Sequence, residues 1–204
     1  MIEASHNRRI VVLLLAALLY ACGGIARVPE ERFYRLDTDM PAASSAAPTV
    51  EGILSVHFVA SAPLYRDRAM LYSEPSTPAR LQRYHYHYWI DTPPLLLQRG
   101  FAGYLRAAGF ASRVVTPEEG VDGAYRLRLV LERFEHQRGP NGGRVNVAWT
   151  LALSERASGR LLRQEQLQTT AGVRGDEFSA VAAAYAQAVT ELYARSLDLL
   201  SRGL

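Results

Sequence analysis

The sequence is poor in three features that define large classes of proteins: it has no lysine, a single cysteine and little net charge. All 23 basic residues are arginine, 20 acidic residues nearly balance them, and the formal net charge is +3. The arginines mostly alternate with apolar residues and form no long basic run, which argues against a nucleic-acid-binding surface. A single cysteine also excludes an intramolecular disulfide, so packing must stabilise the fold.

The sequence also lacks the short motifs of the common enzymatic chemistries. It contains no Gly-x-Ser-x-Gly elbow, His-Glu-x-x-His pair, phosphate-binding glycine loop or Cys-x-x-Cys pair. The glycine-rich residues 139–143 lie between two predicted strands and precede no helix, which is typical of a hairpin turn. We therefore expect a protein that is not an enzyme and that carries no cofactor.

The one cysteine stands where bacterial lipoproteins are cleaved and acylated. Two arginines precede an apolar core at residues 10–21, and a Leu-Tyr-Ala-Cys run ends at Cys22. A helix of this length spans about 18 Å, short of the roughly 30 Å hydrocarbon layer, so the core is typical of a signal sequence. We predict that residues 1–21 are removed and that Cys22 carries a diacylglycerol and an N-acyl chain. The alternative is an uncleaved apolar N-terminus with a free buried cysteine.

The rest of the chain predicts a tether and one domain. Residues 22–31 are short and polar enough to form a lipidated tether, and residues 32–204 suit a single core. Gly23 follows the modified cysteine, whereas lipoproteins with aspartate there tend to stay at the inner membrane of Gram-negative bacteria. We therefore expect anchoring in the outer membrane, with the domain facing the periplasm.

The hydrophobic pattern of the domain predicts strands and two helices. Period-two alternation favours strands at residues 32–37, 54–60, 69–74, 81–89, 113–116, 125–131, 145–153 and 160–170. Residues 93–108 and the segment after Asp176 have apolar residues at helical spacing. We predict an α+β fold: a two-layer sandwich of a largely antiparallel sheet with both helices packed on one face, which carries Leu127, Val147 and Trp149.

One predicted strand carries bulky amphipathic side chains on both faces. Strict alternation over residues 81–89 places three tyrosines on one face, and an arginine, two histidines and a tryptophan on the other. Tyrosine, tryptophan and arginine are favoured at binding hot spots. The alternative is that the tyrosines are core residues beneath the first helix. The candidate partner interface consists of Arg83, Tyr84, Tyr86, Tyr88 and Trp89.

The two histidines of this strand are its metal-binding candidates. At strand spacing His85 and His87 would point the same way, and His57 or Asp91 would be a third ligand. No carboxylate–histidine motif lies nearby to orient the rings. Because alternating His, Tyr and Arg residues are typical of a half-exposed sheet surface, we predict no metal site.

Several of these segments resemble one family. Tyr34-Arg35-Leu36 is similar to the Tyr-x-Leu of its first strand, and residues 67–72 and 84–89 are similar to later strands, the second ending in an aromatic-x-x-Trp pattern. In that family an acidic residue and a proline lead from this strand into a helix, and residues 92–99 resemble that segment. With the lipobox at Cys22, the chain resembles the ABC-type transport auxiliary lipoprotein (PqiC-like) family.

The resemblance implies a non-enzymatic periplasmic component of an envelope transport system for lipids or other hydrophobic compounds. The implied partners are an MCE-domain protein and, through it, an ABC permease and ATPase, with a homo-oligomer as an option. Our leading hypothesis is an outer-membrane lipoprotein that receives or anchors the end of an MCE-type conduit. A rival is a structural or assembly lipoprotein bound to an outer-membrane barrel. The other rival is a tethered hydrolase that uses His57, His85, His87, Asp91 and Ser55.

Overall fold

The computed structural model describes residues 29–43, 47–57, 59–175 and 177–202. Cys22, the signal sequence and Asp176 lie outside the described residues. Two helices, α1 (Pro93–Ala107) and α2 (Phe178–Ser201), accompany the strands, so the predicted α+β class is confirmed. In the described part of the chain, no helix is long and apolar enough to cross a membrane. The strands are β1 (Arg32–Tyr34), β2 (Val50–Val56), β3 (Ala60–Ser61), β4 (Ala69–Glu74), β5 (Thr77–Trp89), β6 (Ala111–Val115), β7 (Tyr125–Gln137), β8 (Arg144–Glu155) and β9 (Leu161–Gly172).

The described strands form one mixed sheet around β7. One edge of β7 pairs along its length with β8, and β8 pairs with β9, which makes an antiparallel meander. The other edge is shared by β2, β3 and β4, which pair in parallel with successive parts of β7. Strand β6 extends the sheet beyond β2, and β5 and then β1 extend it beyond β4. Antiparallel pairing thus holds for the meander and for β4–β5, whereas the remaining pairings are parallel.

Helix α1 forms where the sequence predicts it. Thr92 is the N-cap residue, and Pro93 and Pro94 occupy the first turn, where a missing backbone N–H loses no hydrogen bond. The Thr92 amide donates to Asp91 Oδ1 at 2.8 Å and so fixes the approach to the helix. The helix ends before Gly109, whose φ of 64° lies in the left-handed region that glycine adopts at helix ends.

Both helices pack over the part of the sheet that carries Trp149. The ring of Tyr193 in α2 stacks on Phe101 of α1, with 4.9 Å between centroids, and its centroid lies 5.7 Å from that of Trp149 in β8. The Tyr193 hydroxyl donates to the Leu97 carbonyl of α1 at 2.9 Å. Trp149 Nε1 donates to Ser196 Oγ of α2 at 3.3 Å. All five side chains are buried, so this cluster ties both helices to the sheet.

Several predicted strands have different bounds in the structure, and two of them change the pairing. The strand predicted at residues 54–60 is divided, because β2 ends at Val56 and β3 begins at Ala60. The strand predicted at residues 81–89 begins earlier, since Thr77 pairs with Glu74 across a tight turn.

The close approach of α1 and α2 depends on Gly100. Alanine substitutions at Gly100 and at Gly103 are therefore expected to change stability in opposite directions. A Cβ on Gly100 would lie 2.7 Å from Tyr193 Oη, whereas a Cβ on Gly103 would meet only Met40 Cε at 3.5 Å. We expect Gly103→Ala to raise the free energy of unfolding by up to about 1 kcal/mol through helix propensity. Gly100→Ala should lower it by roughly 1–3 kcal/mol through overpacking. Urea unfolding measures both values.

A double variant tests whether the Tyr193 hydroxyl is the cause. Removing this oxygen with Tyr193→Phe relieves the clash, so Gly100→Ala with Tyr193→Phe should lose less stability than the two single variants lose together. Strictly additive losses would contradict the contact.

Candidate functional site

Strand β5 contains a bulge at Tyr86. This residue has a φ of 66°, in the left-handed region that bulky residues rarely adopt. The pairing with β4 shifts there, because Leu71 pairs with Arg83 but Ala69, two positions earlier, pairs with Tyr88, five positions later. The additional residues of β5 bulge out of the ladder. The strict alternation predicted from the sequence is therefore wrong between Arg83 and Tyr88.

The bulge divides the predicted partner interface among different environments. Arg83 and Tyr86 are exposed, the latter at 36%. Tyr84 is partly buried and packs edge-on against Phe178 in the first turn of α2, with 4.6 Å between centroids. Tyr84 therefore lies beneath the last helix, whereas the alternative reading of the sequence placed the tyrosines beneath the first. Tyr88 stacks on Phe33 of β1.

Trp89, the fifth residue of the predicted interface, belongs to the core. Its side chain is 1% exposed. The ring lies 5.1 Å from Tyr185 of α2 and 5.6 Å from Phe134 of β7, measured between centroids. The prediction that Trp89 contacts a partner is wrong, because the side chain is covered by helix α2 and the sheet.

The two histidines of β5 lie in different environments. His87 stacks on Phe178, with 3.4 Å between centroids and 9° between planes, and the Tyr34 hydroxyl lies 3.0 Å from its Nδ1. His85, on the other side of Tyr86, is exposed. The bulge at Tyr86 therefore interrupts the regular strand between the two histidines. Among the described residues, no three His, Cys, Asp or Glu side chains lie close enough together to hold a metal ion.

The residues assigned to a hypothetical hydrolase do not assemble either. Asp91 caps the approach to α1 and forms an ion pair with Arg99 at 3.3 Å. Ser55 is 6% exposed within β2. The hydrogen bonds and ion pairs of the described residues join neither of them to a histidine. Among the described residues, Ser55 and Asp91 thus form no hydrogen-bonded pair with a histidine.

The β5 bulge forms one wall of a cleft with a cavity volume of about 430 Å³. The end of β4, the turn between β7 and β8 and the first turn of α2 form the other walls. Its described lining includes no serine, cysteine or carboxylate. The side chains that give the cleft its aromatic and basic character are Tyr72, Arg83, Tyr84, His85, Arg138 and Phe178.

A hydrogen-bonded chain fixes Tyr84 in this cleft. His136 in β7 is 5% exposed, and its Nε2 lies 2.6 Å from the Gly142 carbonyl oxygen, which can only accept, so Nε2 carries the proton. In the neutral ring Nδ1 is then the acceptor, and the Tyr84 hydroxyl donates to it at 2.9 Å. Burial lowers the pKa of His136 and raises the pKa of Tyr84, so both groups are neutral near pH 7. The chain connects the β5 bulge to the β7–β8 turn.

Each arginine of the cleft is paired with a carboxylate near the rim. The Arg138 guanidinium lies 2.9 Å from Glu74 and 5.4 Å from the centroid of the Tyr72 ring. Arg83 lies 3.3 Å from Asp67. Because all four charged groups are partly exposed, each pair contributes at most about 1 kcal/mol to stability. The pairs orient the guanidinium groups and leave further N–H donors free for a partner.

One protein family and several solved structures are similar to this chain. A family model described as the ABC-type transport auxiliary lipoprotein component matches residues 34–195, which confirms the resemblance in the sequence. Protein XCC0632 from Xanthomonas campestris aligns with a TM-score of 0.73 at 20% identity, over 83% of this chain and 95% of that protein. A second solved structure, of an uncharacterized protein, aligns with a TM-score of 0.65 at 13% identity, over 83% and 98%. These identities establish a shared fold alone, and no curated protein matches the sequence.

The lowered pKa of His136 predicts a loss of stability as the pH falls. The unfolded chain, with a histidine pKa of about 6.5, binds the proton before the folded chain does. The stabilisation is therefore complete above this pH and declines as the pH falls towards the folded-state pKa. His57 and His87, whose pKa values are also lowered by burial, act in the same direction. We expect the urea midpoint to be lower at about pH 5.5 than at about pH 7.5.

His136→Gln should flatten this pH dependence, whereas the same substitution at the exposed His85 is the matched control. Urea midpoints at the two pH values measure both variants. Equal pH dependence in the two variants would contradict a neutral, buried His136.

Proposed function

We propose a function from one premise: this chain belongs to the ABC-type transport auxiliary lipoprotein component family, whose model matches most of its length. The chain is a non-enzymatic, lipid-anchored component of an envelope transport system for lipids or other hydrophobic compounds. Cys22 anchors it in the outer membrane, and the domain works in the periplasm. Its cleft at the β5 bulge binds a segment of an MCE-domain protein, while the ABC permease and ATPase supply the ATP chemistry.

The observation that carries this proposal is the conformation of Tyr86, which directly follows His85 of the cleft lining in β5. The left-handed conformation costs an L-residue roughly 1–2 kcal/mol, yet Tyr86 adopts it while 36% exposed. Its neighbours hold Tyr86 in this conformation. Tyr84 is hydrogen-bonded to His136 on one side, and His87 is stacked on Phe178 on the other. Strained residues held by their surroundings concentrate at binding sites, and tyrosine is favoured at hot spots.

The cleft suits a protein segment with an acidic group and an apolar or aromatic side chain. The guanidinium groups of Arg83 and Arg138 supply N–H donors to the lining, and Tyr72 presents an aromatic ring beneath Arg138. A volume of about 430 Å³ lies within the range of sites that bury one ligand or a few side chains.

The lipid anchor supports the same reading. Residues 23–31 reach at most about 30 Å when extended, so an acylated Cys22 keeps the domain close to the bilayer. Several acyl chains make membrane residence effectively permanent. A tethered domain that presents a binding cleft is suited to receiving a partner that crosses the periplasm.

Photocrosslinking tests this proposal. Tyr86 and, as a matched exposed control, Leu161 of β9 (54% exposed) are each replaced by a photoreactive phenylalanine analogue in the full-length protein in its own envelope. We expect position 86 to crosslink to an MCE-domain protein identified by mass spectrometry, and position 161 not to do so. Equal crosslinking from both positions, or an outer-membrane barrel as the protein crosslinked at position 86, would contradict the proposal.

The charge reversal Arg83→Glu provides a second arm of the same experiment. It replaces a rim donor by a carboxylate, so crosslinking from position 86 should fall roughly fivefold or more, the factor that corresponds to about 1 kcal/mol of binding energy. Reversal of the distant Arg163 in β9 serves as the control and should leave the yield unchanged. An undiminished yield in Arg83→Glu would count against binding in the cleft.

A further inference from the structure

We infer that the surface formed by Phe33, Tyr88 and Ile90 docks on the lipid bilayer into which the chain is anchored. The inference rests on the proposed acylation of Cys22, and it assigns a second surface, separate from the cleft, to the membrane. We call these three residues the apolar patch. The patch lies at the β1–β5 edge of the sheet.

The patch is held in place by the fold. Phe33 is 50% exposed and Ile90 is 46% exposed, which places both among the exposed large apolar side chains of the described chain. Phe33 pairs with Tyr88 in the β1–β5 register, and their rings stack with 5.8 Å between centroids. The Ile90 amide donates to the Tyr34 carbonyl at 2.9 Å, so the end of β5 is fixed against β1. Clustered apolar groups of this kind mark interaction surfaces more often than single scattered ones.

The patch and the cleft share no residue. Phe33 lines a groove with Ala182 and Ala186 of α2, so the patch lies beside this helix at the edge of the sheet. The lining of the cleft includes none of the three patch residues. The two surfaces can consequently be occupied at the same time.

An arginine next to the patch fits the headgroup region of a bilayer. The Arg68 guanidinium lies 5.6 Å from the centroid of the Phe33 ring. An aromatic ring beside a long cationic side chain allows the ring to enter the interface while the charge stays with the phosphates. Glu30 and Glu31 precede Arg32, so the local charge is nearly balanced. Apolar contact therefore contributes more to docking on the bilayer than electrostatic attraction to anionic lipid does.

The position of the anchor in the chain selects a bilayer as the occupant. Phe33 follows Cys22 by eleven positions, which span at most about 36 Å when fully extended. Strand β1 is the first described strand after the anchor, so the patch always stays close to the lipid surface. Tethering creates a high effective concentration, and a weak contact is then sufficient for occupancy. A second copy is a poorer occupant, because three partly exposed side chains fall well short of the roughly 800 Å² per partner of a stable interface.

Site-directed spin labelling of the full-length, acylated protein in vesicles tests the inference. Single cysteines are introduced as Phe33→Cys, Ile90→Cys and the control Leu161→Cys, since Leu161 is 54% exposed on β9. Acylated Cys22 does not react with the label. The vesicles contain phosphatidylethanolamine and phosphatidylglycerol, and the accessibility of each label to lipid-soluble oxygen is compared with its accessibility to a water-soluble nickel complex.

The inference predicts an oxygen-to-nickel ratio at positions 33 and 90 that is severalfold higher than at position 161. A ratio at both positions equal to that of the control would overturn it. Labels shielded from oxygen and nickel alike would also overturn it, because the patch would then be covered by protein. Two labelled positions keep the test valid if one substitution disturbs the fold, which circular dichroism detects.

Mass spectrometry of the same samples separates this inference from the proposed function. An unmodified Cys22 would overturn the anchor and the inference together. An acylated Cys22 with water-exposed labels at positions 33 and 90 would overturn the inference alone. Because no MCE-domain protein is present in the vesicles, the outcome does not depend on the partner proposed for the cleft.

Discussion

The rest of the structure depends on one backbone constraint, the left-handed conformation of Tyr86 within β5. A regular strand would place Tyr84, Tyr86 and Tyr88 on one face. The bulge instead directs Tyr84 towards α2, leaves Tyr86 exposed next to His85 of the cleft lining, and places Tyr88 against Phe33 of β1. One strand therefore contributes to the core, to a binding cleft and to an apolar surface.

This conformation persists because contacts on both sides hold the strand. On one side the Tyr84 hydroxyl, His136 and the Gly142 carbonyl form a chain that spans the cleft. On the other, His87 is stacked on Phe178. Each hydrogen bond contributes about 1 kcal/mol, and a packed aromatic pair contributes a similar amount. Together these contacts exceed the roughly 1–2 kcal/mol cost of the left-handed residue. The cleft is consequently preformed, which lowers the entropy lost when a partner binds.

The parts of the fold that the sequence predicts are those with local signals. Helix α1 follows from two prolines at its start and Gly109 after its end, and the β7–β8 hairpin follows from regular alternation around a glycine-rich turn. The parallel pairing of β2, β3 and β4 with β7 has no local signal, because it joins residues far apart in the chain. Residues 84–88 alternate histidine with tyrosine, so both faces have similar polarity and no glycine marks the bulge. For that reason the sequence identified the strand that contributes to the site but misplaced Trp89. Acylation of Cys22 stays a prediction, because that residue lies outside the described part of the chain.

The free energies of unfolding of Tyr86→Gly and Tyr86→Val test the central constraint most directly. At a regular strand position valine is favoured over glycine by roughly 1 kcal/mol. At a left-handed position the order reverses, because glycine adopts positive φ freely and a β-branched residue does not. The account predicts that the glycine variant is at least as stable as the parent protein and that the valine variant is less stable by about 1 kcal/mol or more. A valine variant more stable than the glycine variant would contradict it.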